Sequence, residues 1–239
     1  MTVKFRPYPK YKEVPIEWTK VLPMNWSIKP FRSCCTENAN KNSNLSMSEV
    51  LSLSYGKVIL KNLDKNFGLA PENYSSYQVM EPGDLVMRLT DLQNDHVSLR
   101  TGLVKNRGII TSAYLGLKVK KEEIDERFFH WLLHSYDLQK VFYGMGGGVR
   151  QTVGFNELKW LPIIVPEITN QKRISDFLDD KTKYIDEILR KKHRLIELLK
   201  EKHASDIVGI VSKGLSERGE TTDSKIDWIG SVPTGWSVE

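Results

Sequence analysis

The 239-residue chain has no apolar run near the roughly 18 to 20 residues that a helical membrane span needs. Its opening, MTVKFRPYPK, has basic residues with no apolar stretch after them, which is not the pattern of a secretory leader. A cytoplasmic location with no membrane partner is therefore expected. Cysteine is almost absent. The two present, Cys34 and Cys35, are adjacent, too few for a disulfide framework or a zinc cluster, and read as free thiols. No GxxxxGK[ST] phosphate loop and no HExxH metal helix occurs. The Asn/Asp-Pro-Pro-Tyr/Phe segment with which amino-methyltransferases grip a flipped base is missing too. Charge of one sign is scarce where it would matter. The net charge is +5, yet residues 27–160 carry 17 Lys and Arg against 14 Asp and Glu. A nucleic-acid partner fits that balance only if the cations cluster in space or another subunit adds charge.

What is present begins with an internal repeat. The segment from Ile16 to Ile28, IEWTKVLPMNWSI, returns from Ile226 to Val238 as IDWIGSVPTGWSV. Trp18, Pro23, Trp26 and Ser27 match Trp228, Pro233, Trp236 and Ser237, each at an offset of 210 with no gap. The implied unit of about 210 residues begins again near the end of the sequence.

Between these markers the pattern changes twice. Residues 27–125 alternate short apolar runs with turn signals: KVIL (57–60), DLVMRL (84–89) and GLVKNRGIITSAYLGLKV (102–119), separated by Glu81-Pro-Gly-Asp84, Lys105-Asn-Arg-Gly108 and the Asn-rich stretch 38–44. Such runs read as strands and hairpins. Apolar residues 124, 128, 129, 132, 133 and 136 then define one helix face within 123–143, and LKWLPIIVP (158–166) reads as a short strand closed by prolines.

Residues 171–206 contain neither Gly nor Pro. A 3-4 spacing runs through Ile174, Leu178, Lys181, Ile185, Ile188, Lys192, Leu195 and Leu199, a helical stripe. A helix of that length measures about 54 Å and leaves its stripe wet without a partner helix. No second segment of similar length exists in the sequence, so the partner is expected from another copy or another protein. Gly209 and Gly214 are read as the end of the helix, and 212–225 as a polar linker.

Two catalytic patterns fail on context. His130 and His134 are one helical turn apart but have no local carboxylate or thiol beside them, so packing is the better reading. Asp137 with Glu157-Leu-Lys159 imitates a D…ExK nuclease motif, but Asp137 sits in a helical stretch rather than on a strand. The run GMGGGVRQT (144–152) neither follows a strand nor opens a clear helix. Two readings of it stay open: a flexible connector, or a loop carrying Arg150 and Gln151 to base edges.

LKWLPIIVPEITNQKRISDFLDDKTKYIDEIL (158–189) resembles the end of a recognition domain running into the conserved helix of type I restriction-modification specificity subunits. Trp18 to Trp26, GLVKNRGIITSAY (102–114) and Gly-Gly-Val-Arg-Gln (147–151) resemble other stretches of that family. The resemblance implies an α+β architecture. A mixed α/β target-recognition domain (1–166) is followed by a long coiled-coil-forming helix (167–211), then a linker and the start of a second repeat (212–239). It implies a non-catalytic subunit that reads one half of a bipartite double-stranded DNA site and docks methyltransferase subunits, with restriction subunits able to join. S-adenosylmethionine, ATP and Mg are expected on those partners and no cofactor on this chain. The alternative is a coiled-coil interaction or inhibitor module that does not read DNA.

A half-length chain restores two recognition domains by pairing through Ile174, Leu178, Ile185, Ile188, Leu195 and Leu199. A truncated fragment of a longer subunit is the other origin. Side chains expected to meet DNA are Arg88, Thr90, Asn94, Arg100, Lys105, Arg107, Thr111, Ser112, Tyr114, Arg150 and Gln151, residue types that bind phosphate or base edges.

Overall fold

The computed structural model describes residues 7–61, 73–94, 99–145, 152–213, 220–227 and 229–236, with only the backbone at 212 and 213. The chain divides into two compact units, Met1–Leu178 and Asp179–Glu239.

The first unit opens with a hairpin of β1 (Tyr11–Ile16) and β2 (Thr19–Pro23). It then runs through β3 (Ser27–Pro30), the one-turn helix α1 (Phe31–Cys34), β4 (Cys35–Glu37), β5 (Leu51–Ser54) and β6 (Lys57–Leu60). Next come β7 (Gln78–Met80), β8 (Leu85–Met87), β9 (Thr101–Leu103), β10 (Gly108–Ile110) and β11 (Leu115–Val119). The strands follow the apolar runs of the sequence: KVIL is β6, DLVMRL holds β8, and 102–119 supplies most of β9 with all of β10 and β11.

Four strands form an antiparallel sheet in the order β4-β11-β8-β9. Strand β10 pairs with β7, and β5 with β6. Gly108 is demanded by proximity, because a Cβ there would stand 2.6 Å from the Glu49 carbonyl oxygen.

Helix α2 (Glu126–Leu138) follows, then a 3-10 turn (Val141–Gly144), α3 (Phe155–Leu158) and β12 (Pro162–Val165), which pairs with β3. The helix face read from the sequence is the buried one. Ile124, Phe129, Leu133 and Tyr136 join Phe31, Leu85, Leu117 and Ile163 in the main core. The first hairpin adds a smaller core of Val14, Ile16 and Leu22 against Ile164, and Trp18 meets Tyr136 edge-on at 5.3 Å.

The long helix α4 runs from Ile168 to Lys213, 46 residues, or about 69 Å at 1.5 Å per residue. Its first turns are bolted into the first unit by buried polar groups. Gln171, fully buried, donates to the carbonyls of Glu123 (3.0 Å) and Pro166 (2.9 Å) and accepts from the Asp125 N–H (2.9 Å). Ser175 donates to the Asp125 carboxylate, which also caps α2 by accepting from the Phe128 N–H. The helix passes straight through Gly209, which the sequence suggested as its end. One glycine costs a helix interior only about 1 kcal/mol relative to alanine, less than is needed to stop it.

The second unit contains the rest of α4 and a hairpin of β13 (Thr221–Asp223) and β14 (Ser231–Pro233). This hairpin is a structural copy of the first. Tyr11↔Pro23, Lys12↔Leu22 and Glu13↔Val21 are matched by Thr221↔Pro233, Thr222↔Val232 and Asp223↔Ser231, an offset of 210 throughout. Even the turn bonds correspond: Trp26 N–H to Pro23 O and Trp236 N–H to Pro233 O are both 3.0 Å. Trp228 and Ser237, two of the matched residues, lie outside the described residues.

Candidate nucleic-acid interface

The residues expected to meet DNA separate into two places, one buried brace and two residues outside the described ones. The first place surrounds the β7–β10 ladder. Lys105 and Arg107 occupy the exposed turn between β9 and β10. The Arg107 Nε donates to Glu81 Oε1 at 2.9 Å, an ion pair open to solvent on both sides.

Thr111, Ser112 and Tyr114 occupy the turn between β10 and β11. The Ala113 N–H donates to Thr111 Oγ1, and the buried Gln78 amide donates to the carbonyls of Thr111 and Tyr114 (3.3 and 2.6 Å). That side chain fixes the turn while Ser112 stays exposed. Arg107 also lines a shallow cleft with Asn40, Lys41, Asn44 and Ser46, of which the first three belong to the stretch 38–44 that the sequence offered only as a turn signal.

The second place is a cleft lined by Thr90, Asp91, Asn94 and Thr152. Asn94 donates to the Asp91 carboxylate at 2.7 Å, and Asp91 takes a left-handed φ of 58°. Arg88 lies half-buried at the start of this segment. Thr152 directly follows Arg150 and Gln151, which lie outside the described residues.

Arg100 corrects the sequence reading. It is completely buried, so it cannot meet a duplex from the surface. Its guanidinium donates to the carbonyls of Arg88 (3.0 Å) and Thr90 (2.9 Å) and to the Tyr143 hydroxyl (3.0 Å). The backbone N–H of Arg100 donates to Asp137 Oδ2 at 2.8 Å. Arg100 therefore braces the segment that carries Thr90 and Asn94. Nothing in a linear sequence separates a bracing arginine from a reading one.

The remaining chemistry is structural. Asp137 lies in α2, buried, and desolvation raises its carboxyl above the usual range. Glu157 accepts from the Gly154 N–H and caps α3. The rings of His130 and His134 stack with centroids 6.2 Å apart, and burial lowers the pKa of His134. Among the described residues no group of three or more His, Cys, Asp or Glu is placed to hold a metal ion. Burial also pushes up the thiols of Cys34 and Cys35, neither of which is in a disulfide.

Residues 99–198 match the family model described as the type I restriction modification DNA specificity domain. Over that stretch the chain is similar to type I DNA specificity domains. The match takes in both turns of the β10 region, the stretch around Arg150, the Gln171 anchor and much of α4. The Asn-rich cleft residues fall outside it.

Among solved structures, the chain resembles one titled for complex assembly and conformational transition of the type I R-M system. The TM-score there is 0.50 at 17% identity, over 75% of this chain and 44% of that one. It is also similar to the HsdS subunit of Thermoanaerobacter tengcongensis (TM-score 0.47, 12% identity, 75% and 42% coverage). A third similar structure is the S subunit of the M. genitalium type I system (0.45, 16%, 81% and 47%). The chain thus spans less than half the length of each. The likeness at a TM-score of 0.50 is one of fold: a mixed α/β, strand-rich body followed by a long helix. No curated protein matches the chain in sequence. No helix among the described residues is long and apolar enough to cross a membrane.

Proposed function

We propose that the chain serves as a non-catalytic specificity module of a type I restriction-modification system. It reads one half of a bipartite duplex target and docks modification subunits, with restriction subunits able to join. S-adenosylmethionine, ATP and Mg then belong to those partners, and the complex works in the cytoplasm. The observation that carries this reading is the specificity domain matched at 99–198, with polar turns on a strand-rich body and a long helix leaving it.

The proposal includes pairing of two copies through α4. Ile174 and Leu178, which belong to the first unit, are half-buried, as is Ile188. Ile185, Leu195 and Leu199 are 54%, 55% and 56% exposed, a large apolar area for a lone helix to leave in water.

The charges favour an antiparallel arrangement. Residues 176–187 carry five carboxylates (Asp176, Asp179, Asp180, Asp186, Glu187) against Lys181 and Lys183. Residues 190–203 carry six cations (Arg190, Lys191, Lys192, Arg194, Lys200, Lys202) against Glu197 and Glu201. Antiparallel copies set the acidic half against the basic half, whereas parallel copies set like on like. A two-fold dimer of this kind reads a palindromic split site.

Retention of duplex oligonucleotides, with and without a modification subunit, tests the reading. Sequence-selective retention in at least one setting is expected. Its absence in both overturns DNA reading and favours an interaction or inhibitor module. Light scattering tests the pairing: a dimer is expected for the unaltered chain and a monomer for Ile185→Glu with Leu195→Glu. A wild-type monomer at micromolar concentration refutes it.

A further inference from the structure

The loop between β4 and β5 is held with unusual completeness by two buried asparagines, Asn38 (6% exposed) and Asn42 (0%). The Asn38 amide donates to the Val79 carbonyl at 2.9 Å, and its oxygen accepts the Asn40 N–H at 3.1 Å. Asn42 donates to the Met47 carbonyl at 2.9 Å and accepts the Met47 N–H at 3.1 Å, closing a ring within the loop. The Asn42 N–H donates to the Tyr77 carbonyl. Between these two anchors the backbone of Asn40 is spoken for on both sides, since its carbonyl accepts the Val79 N–H at 2.9 Å. Lys41 forms a bridge with Gln78.

The side chains of Asn40 and Lys41 are treated in the opposite way. Both are exposed, and among the described residues neither takes a side-chain hydrogen bond or ion pair. They line one cleft with Asn44 and Arg107. A rigid backbone presenting an unspent amide, an ammonium and a guanidinium into one concavity is a preorganised surface. An asparagine amide matches the N6 and N7 edge of adenine with two bonds, and a lysine suits a phosphate.

From this geometry we infer that Asn40 reads a base edge of the half-site, with adenine as its preferred base, and that Lys41 holds an adjacent phosphate. This rests on the DNA-reading function proposed above and adds residues that lie outside the 99–198 match.

Selection from a pool of duplexes with a randomised window, using the full chain with its modification subunits, tests the inference. Asn40→Ala should lose discrimination at one base pair of the selected half-site by about 5- to 100-fold, the range of one bidentate contact. The other positions should be unchanged. Lys41→Ala should weaken binding uniformly across sequences and reduce the slope of log affinity against log salt by about one. Unchanged thermal unfolding of both variants shows that the loop is intact, and Asn40→Gln, which keeps the amide but moves it, gives a second altered readout at the same base pair. If the Asn40→Ala protein selects the wild-type sequence with wild-type discrimination, the inference fails while DNA reading stands. If the wild-type chain selects no sequence at all, DNA reading fails and takes the inference with it.

Discussion

Arg100 offers the sharpest test, because two physical roles predict opposite outcomes for one substitution. As a surface reader its loss would weaken DNA binding and leave stability alone. As the brace seen here, Arg100→Ala removes at least three hydrogen bonds of a fully buried side chain, to Arg88 O, Thr90 O and Tyr143 Oη. Charge-assisted bonds contribute about 1.5 to 3 kcal/mol each. Removing a buried guanidinium also relieves its desolvation, so the net loss is about 3 to 5 kcal/mol, the usual cost of breaking a buried charged network. For a body of this size each kcal/mol moves Tm by about 2 to 4 °C, so a fall of about 6 to 20 °C is expected. Differential scanning calorimetry on wild type, Arg100→Ala and Arg107→Ala makes the comparison. Arg107, in an exposed ion pair, should change Tm by less than about 4 °C, because such pairs contribute about 0 to 1 kcal/mol. A stable Arg100→Ala protein with weakened DNA binding would refute the reasoning.

Gln171→Ala leaves the Glu123 and Pro166 carbonyls and the Asp125 N–H without their buried partner. At about 1 kcal/mol per bond it should cost about 3 kcal/mol in thermal unfolding, while exposed Lys172→Ala should be silent. Asp137 sets a pH dependence of definite sign. Burial raises its folded pKa above the ordinary carboxylate value, so its contribution is full below that value and is lost as pH rises through the folded pKa. Asp137→Asn, which keeps an oxygen for the Arg100 N–H, should therefore gain Tm relative to wild type between pH 4 and neutrality, and a constant gap would refute this. Cys34 and Cys35 are wholly buried with thiols that titrate high, so a thiol reagent should label neither in the native protein and both in denaturant. Rapid native labelling would contradict that packing.

The sequence by itself determined the periodic and the repeated. Alternating apolar runs gave the strands, and the 124–136 face gave α2, because burial on one face imposes a period that the chain must carry. The 210-residue repeat was legible from rare tryptophans, and the second hairpin returned with the register and turn bonds of the first. The stripe of α4 was equally plain, although Gly209 was not its end.

Tertiary structure decided which polar residues are spent inside the protein and which are offered outside. Arg100 and Arg107 stand seven positions apart, and only the fold buries one and exposes the other. Asn38, Asn40 and Asn42 alternate along one stretch: the first is consumed by a carbonyl of the distant strand β7, the third by Met47 of its own loop, and the one between them is left to solvent. The groups that spend Asn38 and brace Arg100 come in part from residues about forty positions away. A side chain's local sequence therefore carries its chemistry but not its use.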